Sequence, residues 1–332
     1  MIVLLGGSGY VGQAFQRQLV ESGNAITSLS RKQLDYTRYD VLVEFLRETR
    51  PHFLINAAGF TGRPNVDACE LAKADTLQGN TLYPITVSHA CQRAGIAWGH
   101  VSSGCIYSGA KISDGGTQRV ETNLMTVELQ KPLNSRSPIV QGFREDDLAN
   151  FNFRSPPCSF YSGTKALAEE ALAHDERVYI WRMRLPFDEQ DDPRNYLSKL
   201  QRYSKIYENF NSLSHRGDFV RACLDLHSRE APFGTYNVTN PGYVSSRQVV
   251  EMIQRYVATE RSFEYWLNDT EFYRTAAKTP RSNCILDVSK LLSTGVSMRP
   301  VEDALVESLE NWQSEPQMTR PARPITNLGR KL

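Results

Sequence analysis

Three groups of residues in this 332-residue chain have the types and spacing of reacting or ligand-holding groups. His100-Val-Ser-Ser-Gly-Cys-Ile-Tyr107 places two hydroxyls and a thiol, on Ser102, Ser103 and Cys105, at the end of an apolar run. In an open parallel sheet ligands bind beyond the carboxyl ends of the strands, so these groups would meet a bound sugar or nucleotide. The same stretch also suits an ordinary serine-rich turn, and a cysteine is often a small buried hydrophobe. Tyr161-Ser-Gly-Thr-Lys165 puts a phenol and an amine on one face of a predicted helix. A tyrosine of pKa about 10 is a poor acid-base group near neutrality, but a nearby ammonium favours the phenolate and brings it toward working pH. Gly6-Gly-Ser-Gly-Tyr-Val-Gly12 spaces Gly6, Gly9 and Gly12 as a turn that lets a pyrophosphate approach the backbone closely.

These groups need elements to hold them. Ile2 to Leu5 is apolar and β-branched, and Gln13 to Glu21 reads as a helix, so the glycines lie in a strand-turn-helix whose helix N-terminus carries partial positive charge. Nucleotide binding is favoured over an empty glycine loop, with Ser8, Tyr10 and Val11 counted alongside Gly6, Gly9 and Gly12. Asn24 to Leu29 is a second strand ending in Ser30-Arg31-Lys32, where NAD-specific chains often carry an acid. Cations there suit the 2′-phosphate of NADP, so NADPH is preferred over NADH, although Arg31 and Lys32 could equally be a solvated pair. Asp35 would cap the next helix or approach the adenine. Tyr39 to Glu48 reads as that helix, and Phe53 to Ile55 as a strand ending in Asn56-Ala57-Ala58-Gly59, small enough to pass close to a cofactor.

Thr61 to Asp67 is a loop, and Leu82 to Ala94 a long helix with Asn80 as a possible cap. Ala94 to Val101 is a buried strand, and the alternation of elements predicts right-handed βαβ units. From Ser108 to about Asn150 no period is visible, and a loop of that length could act as a lid. Val178 to Met183 and Gly234 to Val238 read as strands; Ser245 to Val257 and Val301 to Trp312 read as helices. The expected class is α/β: a Rossmann-like doubly wound parallel sheet with a smaller C-terminal substrate domain. We expect residues 1–184 and 233–250 in the NADP-binding part, with an insertion at about 109–138. Residues 185–232 and 251–313 would form the substrate-binding part, and 314–332 a mobile tail.

A hydrophobic content of 40% supports a large core, and a net charge of +1 without a basic run gives no footprint for a nucleic acid. Six scattered cysteines without a C-x-x-C pair suggest neither a metal site nor disulfides, which fits a reducing cytoplasm. No secretory signal or membrane-length apolar run is seen. Two glycosylation-like triplets, at Asn237 and Asn268, are read as chance matches.

With these residues in hand, the chain resembles the extended short-chain dehydrogenase/reductases, through Gly6/Gly9/Gly12, Asn56-Ala-Ala-Gly59, Ser103, and Tyr161 with Lys165. More narrowly it resembles bifunctional 3,5-epimerase/4-reductases that make nucleotide-linked rhamnose from a nucleotide 4-keto-6-deoxyglucose. That likeness rests on Asn56 to Asp67, Gly104-Cys105-Ile106, Gly142-Phe143, Pro193-Arg194-Asn195, Asn237 to Gly242 and Pro280-Arg-Ser-Asn283. The resemblance implies Ser103, Tyr161 and Lys165 as a reductase triad, and Cys105 and Lys199 as an acid-base pair for epimerisation. It implies Thr61, Arg63, Asn65, Asn195 and Arg281 as further contacts to a nucleotide-diphosphate sugar, NADPH as cofactor, and a homodimer. A plain 4-keto reductase, with Cys105 a packed thiol, and a non-catalytic NADP-binding regulatory subunit are the competing readings.

Overall fold

Short apolar runs without alternation suit strands covered on both faces, and six of them build one parallel sheet in the computed structural model, which describes residues 1–314. They are Ile2–Leu5 (β1), Ile26–Leu29 (β2), Phe53–Asn56 (β3), Ala97–Ser103 (β4), Val178–Met183 (β5) and Gly234–Asn237 (β6). Their order is β6-β5-β4-β3-β1-β2, and every pairing is parallel. The order reverses between β1 and β3, whose ends pair at Leu5 and Asn56. A crevice must open there, because successive crossovers leave the sheet on opposite faces.

Helices Tyr10–Glu21 (α1) and Arg216–Ser228 (α6) cover one face, where Phe15, Leu19, Phe219 and Leu226 pack with Phe53, Tyr179 and Trp181. Tyr39–Thr49 (α2), Tyr83–Ala94 (α3) and Phe160–Leu172 (α4) cover the other, with Leu46, Val87 and Leu172 against Leu54, Trp98 and Ile180. A separate apolar cluster joins Leu197 and Leu200 of Tyr196–Arg202 (α5), Val249 and Ile253 of Ser246–Tyr256 (α7), and Leu305 of Val301–Glu310 (α8).

Several expectations need correction. Helix α3 ends at Gly95 in the left-handed region (φ 71°), so Ala94 stays helical and β4 runs on through Ser103. Of residues 233–250 only the β6 end joins the sheet; Val244, Val249 and Val250 pack in the third cluster. Helix α6, expected in the substrate part, flanks the sheet instead. The segment from Ser108 to Asn150 is not a featureless loop: strands Ala110–Asp114 and Thr117–Glu121 form a hairpin, and Val127–Asn134 is a helix. Its apolar residues are sparse but well placed, Ile112, Leu129 and Leu133 packing on Phe210, Tyr243 and Ile285. The tail expected to be mobile lies outside the described residues.

Candidate active site

The glycine turn and the end of β3 meet backbone to backbone. Gly6 has φ 80°, and a Cβ there would lie 2.5 Å from the Ala58 nitrogen; a Cβ on Gly12 would fall on the Gly6 carbonyl. Helix α1 begins without a side-chain cap or an acid in its first turn, leaving its first N–H groups for an anion. A dinucleotide pyrophosphate fits this cradle by shape and charge. Asn56 is buried and accepts from the Ala58 N–H at 3.1 Å, which fixes Ala57, Ala58 and Gly59 beside the turn. Arg31 and Lys32 are exposed at the end of β2, and neither forms an ion pair among the described residues.

Other expected cofactor residues behave differently. Tyr10 is buried, its hydroxyl donates to Asp188 at 2.8 Å, and the Arg216 guanidinium lies over its ring. Only its backbone is left for a cofactor. Val11 is half-buried against the core, Ser8 is exposed, and Ser30 donates its hydroxyl to Gln33. Asp35 neither caps α2 nor reaches further; it accepts from Thr37 in a local turn.

Strand β4 alternates its two serines. Ser102 points into the covered face and donates to Glu169 at 2.5 Å, so it is not a ligand group. Ser103 stands beside the Tyr161 phenol, which lies in the first turn of α4, the helix capped by Ser159. One turn on, Lys165 is buried, donates to the Val101 carbonyl at 3.2 Å, and reaches the Gly59 backbone. Burial draws the Lys165 ammonium down to about 8, against the opposing pull of Glu169 and Cys105. The phenol differs from the expected lowering: burial, with the Cys105 thiol, pushes Tyr161 well above its ordinary value, and Ser103 and Arg184 oppose this only in part. A neutral phenol is the form that can donate a proton.

Cys105 is half-buried in the short turn after β4, with its N–H bonded to the Ser103 hydroxyl. Its sulfur lies within electrostatic reach of Tyr161, Lys165, Lys199 and Arg184. Burial, and then Arg194, lowers the Lys199 ammonium from its ordinary value, while Asp192 and Cys105 resist. A lysine so lowered exchanges protons more readily near neutrality.

The expected sugar contacts divide. Thr61 accepts from Arg194, Arg63 is exposed, and the Asn65 side chain closes a turn onto the Asp67 N–H. Arg281 makes a bidentate pair with Asp67 at 2.7 and 2.8 Å. Asn195 does not face the sugar space: it is fully buried, caps α5 through Leu197, and donates to Asp188 and to the Gln190 carbonyl. The sequence reading took one residue for a possible cap and missed another. Asn80 is no simple cap; it accepts from the Phe60 N–H and donates to its carbonyl, and lies in a π-helical turn that no local pattern announces. Arg184 donates to Cys105 at 2.8 Å. Its signal was legible: Arg182 and Arg184 are charges in and just past an apolar strand, and buried charges need partners.

The RmlD substrate binding domain family matches residues 1–136. The bifunctional dTDP-4-dehydrorhamnose 3,5-epimerase/dTDP-4-dehydrorhamnose reductase of Arabidopsis thaliana is 31% identical over 307 residues, covering 92% of this chain and 91% of that protein. A trifunctional UDP-glucose 4,6-dehydratase/3,5-epimerase/UDP-4-keto-L-rhamnose-reductase of the same plant is 30% identical over 80% of this chain, which spans 35% of that longer protein. The L780 UDP-rhamnose synthase of Acanthamoeba polyphaga mimivirus shares the fold with a TM-score of 0.77 at 21% identity, over 93% of this chain and 98% of that one. A Bacillus anthracis dTDP-4-dehydrorhamnose reductase solved with NADP does so at 0.71 and 19% identity, over 94% and 97%. The chain belongs to the dTDP-4-dehydrorhamnose reductase-like family of extended short-chain dehydrogenase/reductases, and is an oxidoreductase of that family.

Proposed function

We propose that the protein catalyses NADPH-dependent 3,5-epimerisation and C4-keto reduction of a nucleotide-linked 4-keto-6-deoxyhexose, as in rhamnose synthesis. One observation supports this reading: Cys105, its N–H bonded to the Ser103 hydroxyl, lies within electrostatic reach of both the Tyr161–Lys165 pair and Lys199. Protons α to the C4 ketone are acidic because the enolate spreads its charge onto the carbonyl oxygen. Cys105 as thiolate removes such a proton from one face, and Lys199 returns one to the other, inverting C3 and C5. Bound NADPH supplies the hydride for C4. Ser103 holds the C4 oxygen, Tyr161 protonates it, and Lys165 orients the ribose and carries positive charge beneath the phenol. Arg31 and Lys32 suit the 2′-phosphate, and the α1 turn the pyrophosphate.

The test is incubation with UDP- and dTDP-linked 4-keto-6-deoxyglucose and NADPH in deuterated water, with products read by NMR. The wild type should give a rhamnose-type sugar labelled at C3 and C5. Cys105→Ala should lose the label yet reduce a pre-epimerised sugar; reduction without any labelling in the wild type would leave a plain 4-keto reductase. The same reading places the protein in solution as a homodimer of 37.6 kDa subunits. Leu82 and Leu167, both left exposed near α3 and α4, support it, and light scattering that gives the monomer mass would refute it. Among the described residues no helix is long and apolar enough to cross a membrane.

A further inference from the structure

Arg182 lies in β5 and Arg184 just past its end, and the two are neutralised differently. Arg182 pairs with the Glu169 carboxylate at 2.7 Å. Arg184, only 2% exposed, has no carboxylate partner among the described residues. Its Nη2 donates to Asn211 Oδ1 at 2.5 Å and to the Ser282 carbonyl, its Nε has no partner among the described residues, and its Nη1 donates to Cys105 Sγ at 2.8 Å. A buried guanidinium held by neutral acceptors alone is costly, so the fold must supply an anion or lose stability.

Four ionisable groups lie near Arg184: Cys105, Cys284, Tyr196 and Tyr161, the last held protonated by burial. Cys284 is fully buried, its thiol donates to the Gly104 carbonyl, and burial pushes it up. Burial likewise pushes the Tyr196 phenol up to about 12, so it stays neutral. Only Cys105 is open to solvent on one side and bonded to the guanidinium on the other. The groups facing its sulfur are Arg184 from the end of β5, Tyr161 and Lys165 from α4, Lys199 from α5, and Cys284 from the returning C-terminal segment.

We propose that Arg184 is the counter-ion of a Cys105 thiolate: a positioning residue that keeps the sulfur charged and fixed while the sugar is epimerised. The proposal rests on the epimerase reading given above. It also explains the division of labour between the cations. With Arg184 permanently protonated and holding the sulfur, Lys199 need not pair with it and can act as the proton donor. The thiolate takes the α proton to become a thiol, the electron pair passes to the C4 oxygen as an enolate, and the Lys199 ammonium protonates the carbon from the opposite face. A proton passing from thiol to amine through solvent restores both groups.

Alkylation of Cys105 by iodoacetamide, followed by peptide mass across mildly acid to alkaline pH with glutathione alongside, tests this without any sugar. The wild-type rate should hold up as pH falls, unlike that of glutathione. Arg184→Gln should make it at least about tenfold slower at neutral pH, with Arg184→Lys intermediate. Deuterium incorporation at C3 and C5 should fall in parallel, with the same pH dependence, while reduction of the pre-epimerised sugar changes little. Identical profiles in wild type and Arg184→Gln overturn the proposal. If Arg184→Gln does not fold, a wild-type profile that tracks glutathione does the same. A rate that holds up with no deuterium incorporation sinks the epimerase reading and leaves the ion pair standing; incorporation with a glutathione-like profile sinks the ion pair alone.

Discussion

In the proposed mechanism Lys165 has two jobs that depend on its charge, holding a ribose and keeping positive potential under the phenol, and burial makes that charge fragile. With the ammonium drawn down to about 8, the cationic form is complete below that pH and is lost as pH rises through it. The Tyr161 phenol, held up by burial, stays protonated over the same range. We therefore expect reduction of a pre-epimerised sugar, followed as NADPH oxidation, to be level near neutrality and to decline above about pH 8. A rate that stays level up to the ordinary lysine range near 10.4 would remove Lys165 from that step. Lys165→Met should cost on the order of a hundredfold in kcat at neutral pH. The residues proposed as the triad were legible as candidates, because they stand at fixed spacings on one strand end and one helix. The direction of the phenol's shift was not, since it depends on how much protein covers the ring, and no spacing encodes that.

At the scale of elements, strand-helix alternation was readable wherever one apolar face meets the sheet, as in α1, α4 and β5. It failed in the segment from 108 to 150. There a two-strand hairpin and a short helix bury only a few side chains each, and the surfaces they bury against, Phe210 and Tyr243, lie far on in the chain. Helix α5 shows the opposite case, a functional element held by one residue. Too short to be stable alone, it carries Lys199 and is pinned through Asn195, whose side chain caps it and ties it to Asp188, the residue that also receives the Tyr10 hydroxyl. Asn195→Ala should destabilise the protein by about 1–2 kcal/mol in urea unfolding. It should also slow deuterium incorporation more than reduction, because Lys199 loses its fixed approach while Tyr161 and Lys165 do not. Equal losses in both activities would mean that α5 positions the whole site and not Lys199 alone.

For the whole molecule the question is how parts from distant stretches are kept around one sugar space. The ties run from the stretch after β3: Asp67 to Arg281 and Glu70 to Thr279 at 3.0 Å reach the C-terminal segment, and Thr61 to Arg194 reaches the region preceding α5. The Asp67–Arg281 pair is the strongest by geometry, bidentate and mostly covered. Burial opposes charge on Asp67, but the Arg281 hydrogen bonds outweigh it and hold the carboxyl below its ordinary range, so the pair persists at neutral pH and is lost only in acid. If it acts as a clasp, both partners matter alike. Arg281→Ala and Asp67→Asn should each raise the KM for the nucleotide sugar roughly tenfold, the loss of about one charge-assisted hydrogen bond. NADPH affinity, read by fluorescence titration, should hardly change, because neither residue bonds the glycine turn. Should Asp67→Asn leave KM untouched while Arg281→Ala raises it, Arg281 would be a direct sugar-nucleotide contact, as the sequence first suggested, and the clasp would have no part in binding.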